Sequence, residues 1–283
     1  MKTQQKKRRL ILFLSCSTCL IFLHIMNCRI DHGLEPIYSK IGGNIFFTGE
    51  EPPKTEEVRV AVAKDFPPKR INQLLFSDRI PHWQDTAYYE IYLPEGTYDV
   101  IAVIWKEKYG SWNISDIVGV YGGSFSGDLL FPTFESVTIP HKDAVLDTID
   151  IQANLNRVNR DAKIEGTVTF VGPWPQNTGT IAVGGFIEIP EKGNLIDYYF
   201  KSVYIDYSIP PFVEREDYLL RVHYTDTLKY ISVLWIDDAF DLSSLRDIGF
   251  YKDPQDTTQP GMVTFTEDST RTGIDITVDF SEM

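Results

Sequence analysis

The chain contains one short motif twice. "KIGGNIFFTG" (Lys40–Gly49) and "KIEGTVTFVG" (Lys163–Gly172) are identical at five of ten positions and lie 123 residues apart. Similar blocks follow each copy in the same order: "VRVAVA" and "GTIAVG", "VIAVIW" and "YISVLW", "IVGVY" and "DIGFY", "IDIQANL" and "IDITVDF". Self-similarity at a nearly fixed spacing indicates a duplicated structural unit. We therefore expect two domains of the same fold, with their boundary in "NRVNRDA", Asn156 to Ala162.

The repeated blocks have the composition of β-strands. They are rich in Val, Ile, Thr, Tyr and Phe, and "VRVAVA", "YYEIYL" and "GIDITVDF" alternate with a period of two. "DVIAVIW" is apolar on both faces, which is typical of a central strand covered on both sides. No stretch predicts an amphipathic helix of useful length; "DLSSLRDI" offers one or two turns at most. The pattern predicts an all-β protein with two tandem Ig-like β-sandwich domains, 40–157 and 158–283.

The order of these motifs resembles bacterial surface modules of the carboxypeptidase-regulatory-like, or prealbumin-like, class. The resemblance rests on five motifs: a first strand of the form I-x-G-x-V-x-F-x-G, a V-x-V-A-V strand, an L-P-x-G-x-Y-x-V hairpin, a G-x-Y strand and a closing G-I-D-I-x-V strand. The first copy has the hairpin as "LPEGTYDV", in which Pro94 and Gly96 supply turn conformations. The second copy has Asp226 in the corresponding stretch. The resemblance implies a prealbumin-like sandwich fold and leaves the function open.

The N-terminal 28 residues have the layout of an export signal. Lysines and arginines at positions 2 to 9 precede a mostly apolar run, Leu10 to Met26. The run is short for the roughly 20 apolar residues of a membrane span, although an uncleaved anchor remains an alternative. "IMNC" resembles the lipobox of bacterial lipoproteins, which implies lipidation of Cys28; an ordinary signal is the alternative. Residues 29–39 have no periodicity, and we interpret them as a tether.

Charge and cysteine content exclude several classes of function. The chain has a net charge of −13, and the charged residues of the signal segment are all basic. The exported part is therefore more acidic than the whole chain. Such a surface disfavours nucleic acid and bare anionic membrane. The cysteines, Cys16, Cys19 and Cys28, all lie in the signal segment, so we expect no disulfide framework and no thiol nucleophile in the exported part.

No catalytic residues are predicted from the sequence. The histidines lie in the signal, in the tether and at His82, His141 and His223, without the spacing of a nucleophile site or metal site. The chain has many carboxylates, but nothing favours one pair of them for glycoside hydrolysis. We therefore predict that the protein is not an enzyme and needs no cofactor.

One acidic segment is a candidate calcium site. "DDAFDLSSLRD" contains Asp237, Asp238, Asp241 and Asp247, and calcium prefers six to eight oxygen ligands. The glycines and asparagine of a typical calcium loop are missing, so a solvated acidic loop is the alternative.

Aromatic residues suggest a second kind of site. Trp105 and Trp235 occupy equivalent positions in the two copies, which favours a role in the fold. Trp83, Trp112 and Trp174 have no counterparts and are candidates for stacking on sugar rings. Trp174 could instead fold back as a lid on its own domain. A third aromatic segment, Ile196–Phe212, is rich in tyrosine and could form an exposed strip or be absorbed at a sandwich edge.

The combined features predict a non-enzymatic exported module of the bacterial cell envelope with a binding, spacer or scaffolding role. The expected partner is another envelope protein or a glycan, and the membrane is contacted only through the N-terminal anchor. The alternative is a polysaccharide-binding protein, or an accessory domain of a glycan-degrading system.

Overall fold

The computed structural model describes residues 39–66, 68, 73–81, 84–127, 129–223 and 227–282. These residues belong to one compact unit, Ile37–Met283. The predicted signal segment with Cys28, nearly all of the tether, His82, Trp83 and Asp226 lie outside the described residues.

In the part of the chain that the structure describes, twelve strands form the first sandwich. One sheet has β4 antiparallel to β1, whose other side pairs in parallel with β11 and β12; the facing sheet has the order β3-β2-β6-β7. Short pairs β5–β10 and β8–β9 complete it. The strands are β1 (Lys40–Thr48), β2 (Thr55–Ala63), β3 (Leu75–Phe76), β4 (Thr86–Tyr92), β5 (Gly96–Tyr98), β6 (Val100–Glu107), β7 (Ile117–Val120), β8 (Ser124–Ser126), β9 (Leu129–Phe131), β10 (Val137–Ile139), β11 (Val145–Leu146) and β12 (Ile151–Asn154).

Residues 162–223 and 227–282 provide ten strands, which form the second sandwich with the same pairing scheme. The strand β13 pairs with β16, β21 and β22 as β1 pairs with β4, β11 and β12, and the facing sheet has the order β15-β14-β18-β19. The strands are β13 (Ala162–Val171), β14 (Thr178–Phe186), β15 (Ser202–Asp206), β16 (Arg215–Val222), β17 (Thr227–Leu228), β18 (Tyr230–Asp237), β19 (Arg246–Phe250), β20 (Val263–Thr264), β21 (Thr270–Arg271) and β22 (Ile276–Asp279). The predicted fold class, all-β with two tandem sandwiches, is confirmed.

Among the described residues, helical structure is confined to short segments. The α-helix α1 (Leu195–Phe200) follows β14, and single turns of 3₁₀ helix lie at Ile114–Asp116, Leu155–Val158, Leu242–Ser244 and Phe280–Glu282. Asn194 caps α1 by accepting a hydrogen bond from the Asp197 amide. The helix lies inside the tyrosine-rich segment, for which the sequence predicted only strand-like alternation.

A glycine allows close packing inside each sandwich. A Cβ on Gly43 would lie 2.3 Å from the Ile149 carbonyl oxygen, and one on Gly166 would lie 2.0 Å from that of Ile274. The same carbonyls accept hydrogen bonds from buried tyrosines, Tyr89 at 2.8 Å and Tyr218 at 2.6 Å. The repeated glycine of the opening motif thus serves a backbone contact that no other residue fits.

The two equivalent tryptophans anchor matching turns. Trp105 Nε1 donates a hydrogen bond to Thr55 Oγ1, and Trp235 Nε1 donates one to Thr178 Oγ1, both at 2.9 Å. Each threonine hydroxyl in turn donates to a proline carbonyl three residues earlier, at position 52 or 175. Both tryptophans are buried, which confirms their predicted role in the fold.

The central strands are buried on both faces, as predicted. In β6 the side chains of Ile101, Val103 and Trp105 face the sandwich core, whereas Val100 and Ala102 join a separate outer cluster. In β18 the outer positions are likewise apolar and belong to another cluster. Each sandwich therefore has an apolar outer face that needs a cover.

One sequence prediction needs correction. The stretch Leu93–Val100 is not a hairpin, because β4 pairs with β1 whereas β6 pairs with β2. It crosses from one sheet to the other, with Tyr98 buried in the core and its hydroxyl donating to the Pro94 carbonyl. Val158, within the predicted boundary segment Asn156 to Ala162, packs in the first core.

We predict that Tyr89→Phe and Tyr218→Phe each destabilise the protein by about 1–2 kcal/mol, because each leaves a buried carbonyl without its hydroxyl donor. Urea unfolding followed by tryptophan fluorescence measures the effect. Tyr109→Phe is the matched control, since Tyr109 is almost fully exposed. Equal midpoints for all three variants would contradict the assigned role of these hydroxyls.

Candidate functional site

A buried ion pair joins the two sandwiches. Arg160, in the segment between β12 and β13, places Nη2 2.6 Å from Asp116 Oδ1, and both side chains are almost fully buried. The same nitrogen donates to the Val203 carbonyl of the second sandwich at 3.3 Å. The guanidinium carbon also lies 4.7 Å from the ring centroid of Tyr204 and 5.7 Å from that of Trp105. One cation thus contacts side chains or backbone from both copies.

Burial raises the pKa of the Asp116 carboxyl, and the Arg160 guanidinium opposes that shift. Loss of Arg160 would leave the carboxylate buried without its cation, which is costly in a low-dielectric environment. Asn113 reinforces the same contact: its Nδ2 donates to the Ile205 carbonyl at 2.7 Å while its Oδ1 caps the 3₁₀ turn that carries Asp116.

The helix α1 covers both outer faces. Tyr199 and Phe200 pack on the outer cluster of the first sandwich, which includes Val100 and Ala102. Tyr198 belongs to the outer cluster of the second sandwich, with its ring edge-on to Phe186. A further ion pair lies nearby, with Arg221 Nη1 2.6 Å from both carboxylate oxygens of Glu107. We call the set Asn113–Asp116, Arg160, α1, β15 and this ion pair the junction.

The second sandwich places a different arginine over its tryptophan. Arg246 stacks 4.3 Å from the Trp235 ring centroid. The repeat offset of 130 residues aligns Arg246 with Asp116, because β19 pairs with β18 as β7 pairs with β6. At equivalent positions the first copy therefore has an acid that binds the linker arginine, and the second copy has an arginine of its own.

The structure does not gather the predicted calcium ligands. Among the described residues, no three His, Cys, Asp or Glu side chains form a metal-binding group, and all four aspartates are described. Asp247 lies on β19 and accepts hydrogen bonds from Tyr198, Tyr230 and Ser232. Asp237 and Asp241 instead receive hydrogen bonds from backbone amides within their own loop. For Asp237, Asp238 and Asp241, the geometry favours the alternative interpretation, which is a solvated acidic loop.

Two of the three candidate stacking tryptophans are engaged by neighbouring rings. Trp174 lies 4.6 Å from Phe170, 4.5 Å from Phe280 and 5.5 Å from Phe212, and its Nε1 donates to the Val213 carbonyl. These contacts favour the lid interpretation. Trp112 stacks on Phe76 at 5.4 Å. Sugar stacking by these two residues and by Trp83, which lies outside the described ranges, stays a prediction.

A different set of aromatic side chains is exposed. Phe46 on β1 and Tyr88 and Tyr92 on β4 are 43%, 51% and 55% exposed, and they point from the outer face of the β1–β4 sheet. We call these three side chains the aromatic face. The alternation of "YYEIYL" predicts a strand but does not show the contrast with the second copy, whose residues at the same register are not aromatic.

An open groove of about 520 Å³ lies on the second sandwich, lined by Glu165, Asp206, Asp217 and Asp275 among others. Its carboxylates are held by the fold. Asp275 and Asp217 accept hydrogen bonds from the Thr167 amide and hydroxyl, and Asp206 accepts one from the Leu219 amide. These hydrogen bonds show that the three aspartates stabilise the local structure of the strands and loops around the groove.

The described histidines also have structural surroundings. His141 is exposed and its Nδ1 lies 2.8 Å from the Lys142 carbonyl oxygen, whereas His223 lies 3.9 Å from Asp161 next to the start of β13. Within the described ranges, none of the helices has the length and apolar character that crossing a bilayer requires.

Comparison with known proteins gives no family. No family model matches the chain, and no curated protein matches it. Solved structures that resemble it include a leucine-rich repeat protein of Bacteroides thetaiotaomicron, at 6% identity and TM-score 0.34, covering 86% of this chain and 26% of that one. A proposed cell adhesion protein of Bacteroides fragilis matches at 12% identity and TM-score 0.27, covering 87% and 94%. The major pilin of Streptococcus pyogenes matches at 7% identity and TM-score 0.18, covering 87% and 98%.

These similarities carry no argument about the function of this chain, because every TM-score is far below 0.5 and the identities are low. The chain also spans only about a quarter of the length of the leucine-rich repeat protein. The strand pairing described above is therefore the basis for the fold.

Asp247 gives a testable pH dependence. Burial raises the pKa of its carboxyl, although hydrogen bonds from Tyr198, Ser232 and Tyr230 oppose the shift. Between the ordinary carboxyl pKa and the raised one, the folded state binds the proton more tightly than the unfolded state does. The contribution of Asp247 to the free energy of unfolding therefore falls as the pH rises through that range.

We predict that the stability difference between wild type and Asp247→Asn declines as the pH is raised from about 4 and is constant above the folded pKa. Urea midpoints measured across pH 3.5–7 test this. Tyr230→Phe removes one opposing donor and should extend the declining range upwards. Parallel pH profiles for wild type and Asp247→Asn would rule the effect out.

Proposed function

We propose that this protein is a non-enzymatic, exported module of the bacterial cell envelope that holds two β-sandwiches as one rigid unit for binding, spacing or scaffolding. The observation that carries the proposal is the buried Arg160–Asp116 pair at the junction. A spacer or scaffold must keep its two ends in a fixed relation, and a buried, hydrogen-bonded cation between the copies restricts their relative motion. The exported, surface-facing location is part of the same proposal.

Three kinds of contact support a rigid junction. The buried carboxylate of Asp116 in the first sandwich holds the Arg160 guanidinium, which also contacts the Val203 carbonyl and the Tyr204 ring of the second. The rings of Tyr199 and Phe200 bury apolar surface of the first sandwich, although they belong to the chain of the second. The Asn113 side chain donates to the Ile205 carbonyl, which fixes the approach of one backbone to the other. A flexible linker between domains would provide none of these contacts.

The domain division and the anchor belong to this proposal. We place the boundary in the stretch Asn159–Asp161, because Val158 packs in the first core and Ala162 in the second. Residues 1–28 act as the export signal, and residues 29–39 as the tether. Cys28 is the lipidated residue, and the membrane is contacted only through it. The partner is an envelope protein or a glycan.

A second candidate function is polysaccharide binding. The observation that favours it is the aromatic face, because its three exposed rings form a contiguous patch and match the apolar face of sugar rings. This candidate is compatible with the scaffold, since a rigid pair of sandwiches can present a binding surface.

Replacing Arg160 with Met tests the rigid unit. The variant keeps side-chain volume but leaves Asp116 buried without its cation, so we expect the junction to lose about 3 kcal/mol or more. Wild type should unfold in urea in a single cooperative transition, whereas Arg160→Met should unfold in two separated transitions, one for each sandwich. Tryptophan fluorescence follows both, because Trp105 and Trp235 lie in different cores.

The double variant Arg160→Met with Asp116→Leu is the matched control. It removes both charges and places apolar groups in the cavity, so the single transition should return. Two transitions already present in wild type would show that the sandwiches are independent and would overturn the rigid unit.

Lipid anchoring is tested at Cys28. Cells that produce the full chain and are fed a clickable palmitate analogue should label the wild type, and Cys28→Ser should abolish the label and release the protein from the membrane fraction. Cys19→Ser is the matched control and should leave both results unchanged. A labelled Cys28→Ser protein would refute the assignment of this residue.

A further inference from the structure

The aromatic face is absent from the second copy although the fold is the same. Register pairs Phe46 with Thr86, Asn44 with Tyr88 and Lys40 with Tyr92 in the first sandwich. The corresponding pairs in the second are Thr169 with Arg215, Thr167 with Asp217 and Lys163 with Arg221. Threonine, aspartate and arginine thus stand where the first copy has its three rings.

The fold itself does not require those rings. The inward positions of β1 and β13 are apolar in both copies, with Ile41 and Ile45 in one matching Ile164 and Val168 in the other. The three outward positions that carry rings in the first copy have diverged. Single exposed rings are common on protein surfaces, but three on one face of two neighbouring strands form a contiguous patch, which is typical of a binding surface.

The ring of Tyr88 lies over Gly42 of the neighbouring strand β1, which has no side chain to block it. A Cβ at Gly42 would be 2.6 Å from the Tyr88 hydroxyl and 3.2 Å from the ring carbon that bears it, so the ring end occupies the space that a side chain would fill. The second copy has Glu165 at the position of Gly42. The hydroxyl of Tyr88 reaches to 3.4 Å from Asp147 Oδ1. The ring is thus supported from below by backbone while half of its surface is open.

Polar groups border the rings. Glu90 lies between Tyr88 and Tyr92 on the same face. Its carboxylate forms an ion pair with Lys40 Nζ at 2.7 Å and accepts a hydrogen bond from the Tyr92 hydroxyl at 3.4 Å. Asp150 accepts from the Asn44 amide at 2.7 Å. Carboxylate oxygens have free lone pairs beyond these contacts and can accept hydrogen bonds from hydroxyl groups. The face thus alternates apolar rings with hydrogen-bond acceptors.

The size of the face fits a glycan better than a protein. Three half-exposed aromatic side chains present about 300 Å² of ring surface, given the roughly 200 Å² of each. A stable protein interface takes about 800 Å² from each partner. The row from Phe46 through Tyr88 to Tyr92 extends about 20 Å along and across the strands, which suits an extended oligosaccharide.

Charge selects among glycans. Among the described residues that contact the face, Glu90, Asp147 and Asp150 are carboxylates and Lys40 carries an ammonium, and the whole chain has a net charge of −13. Anionic polysaccharides would be repelled, whereas hydroxyl donors of neutral sugars meet acceptors.

We infer that the aromatic face of the first sandwich binds neutral polysaccharide, with sugar rings stacked on Tyr88, Tyr92 and Phe46 and their hydroxyls donating to Glu90 and Asp147. This inference rests on the proposed binding role of the module and names its ligand class. The second sandwich, which lacks the rings, does not take part in binding.

The test uses the purified full-length chain in affinity electrophoresis through native gels that contain a β-1,3-glucan, a β-1,4-glucan, an α-mannan or a xylan, with a sulfated galactan as the anionic comparison. Wild type should be retarded by at least one neutral polysaccharide and not by the sulfated one. The decisive variant combines Phe46→Thr, Tyr88→Asp and Tyr92→Arg, which gives each position the residue of the second copy. We expect its affinity to fall at least 30-fold with an unchanged urea midpoint.

Single variants separate ring stacking from other effects. Tyr88→Ala should weaken binding about 10-fold, whereas Tyr88→Phe keeps the ring and should stay within about threefold of wild type. Tyr109→Ala removes an exposed tyrosine elsewhere on the first sandwich and should change nothing. Trp174→Ala tests the competing site and should leave the affinity unchanged.

Several outcomes would overturn the inference. These are no retardation of wild type by any neutral polysaccharide, undiminished retardation of the triple variant, or loss of binding with Trp174→Ala but not with the triple variant. Sedimentation of the same proteins adds another: self-association that disappears in the triple variant would assign the face to a second copy of the chain. The urea transitions of wild type and Arg160→Met report on the rigid unit independently, so failure of glycan binding does not imitate failure of the scaffold.

Discussion

The two-sided burial of the central strands is the constraint on which the rest of the structure depends. Strands β6 and β18 carry apolar side chains on both faces, so each sandwich has a filled core and an apolar outer surface. An isolated sandwich would expose that outer surface to water. The helix α1, which follows β14, covers these surfaces with consecutive aromatic residues. Tyr198 packs on the outer face of the second sandwich, and Tyr199 and Phe200 pack on that of the first. The ion pair of Arg160 lies at the border of the same region.

Much of the fold could be predicted because the period-two alternation of apolar and polar residues shows which face of each strand is buried. The repeat fixed which blocks are equivalent, and the paired tryptophans were recognised as structural for that reason. The hairpin was wrong because Pro94 and Gly96 signal a change of direction without specifying which strands pair. The helix α1 was missed because six residues are too few for a helical period, and its stability comes from burial between two surfaces that are distant in the sequence.

The candidate sites were harder to predict, for a related reason. Arg160 lies in a polar, charged linker and has the sequence context of a solvated residue, yet it is buried by groups 40 or more residues away. Asp247 was grouped with neighbouring aspartates, but β19 carries it onto a sheet face beside Tyr198 and Ser232. The aromatic face becomes visible only when register aligns the outward positions of the two copies, since the rings of "YYEIYL" alone do not show which of them are exposed.

The arginine over Trp235 has a consequence for how far this architecture can be extended. A contact between unlike surfaces of like units can in principle repeat without end, and tandem copies would then grow into an array. Here the linker arginine of the second copy meets Asp116, but the linker arginine of a third copy would meet Arg246, which already occupies the ring of Trp235. Like charges would repel at that position, so the second sandwich does not offer a following linker arginine the site that the first sandwich offers to Arg160.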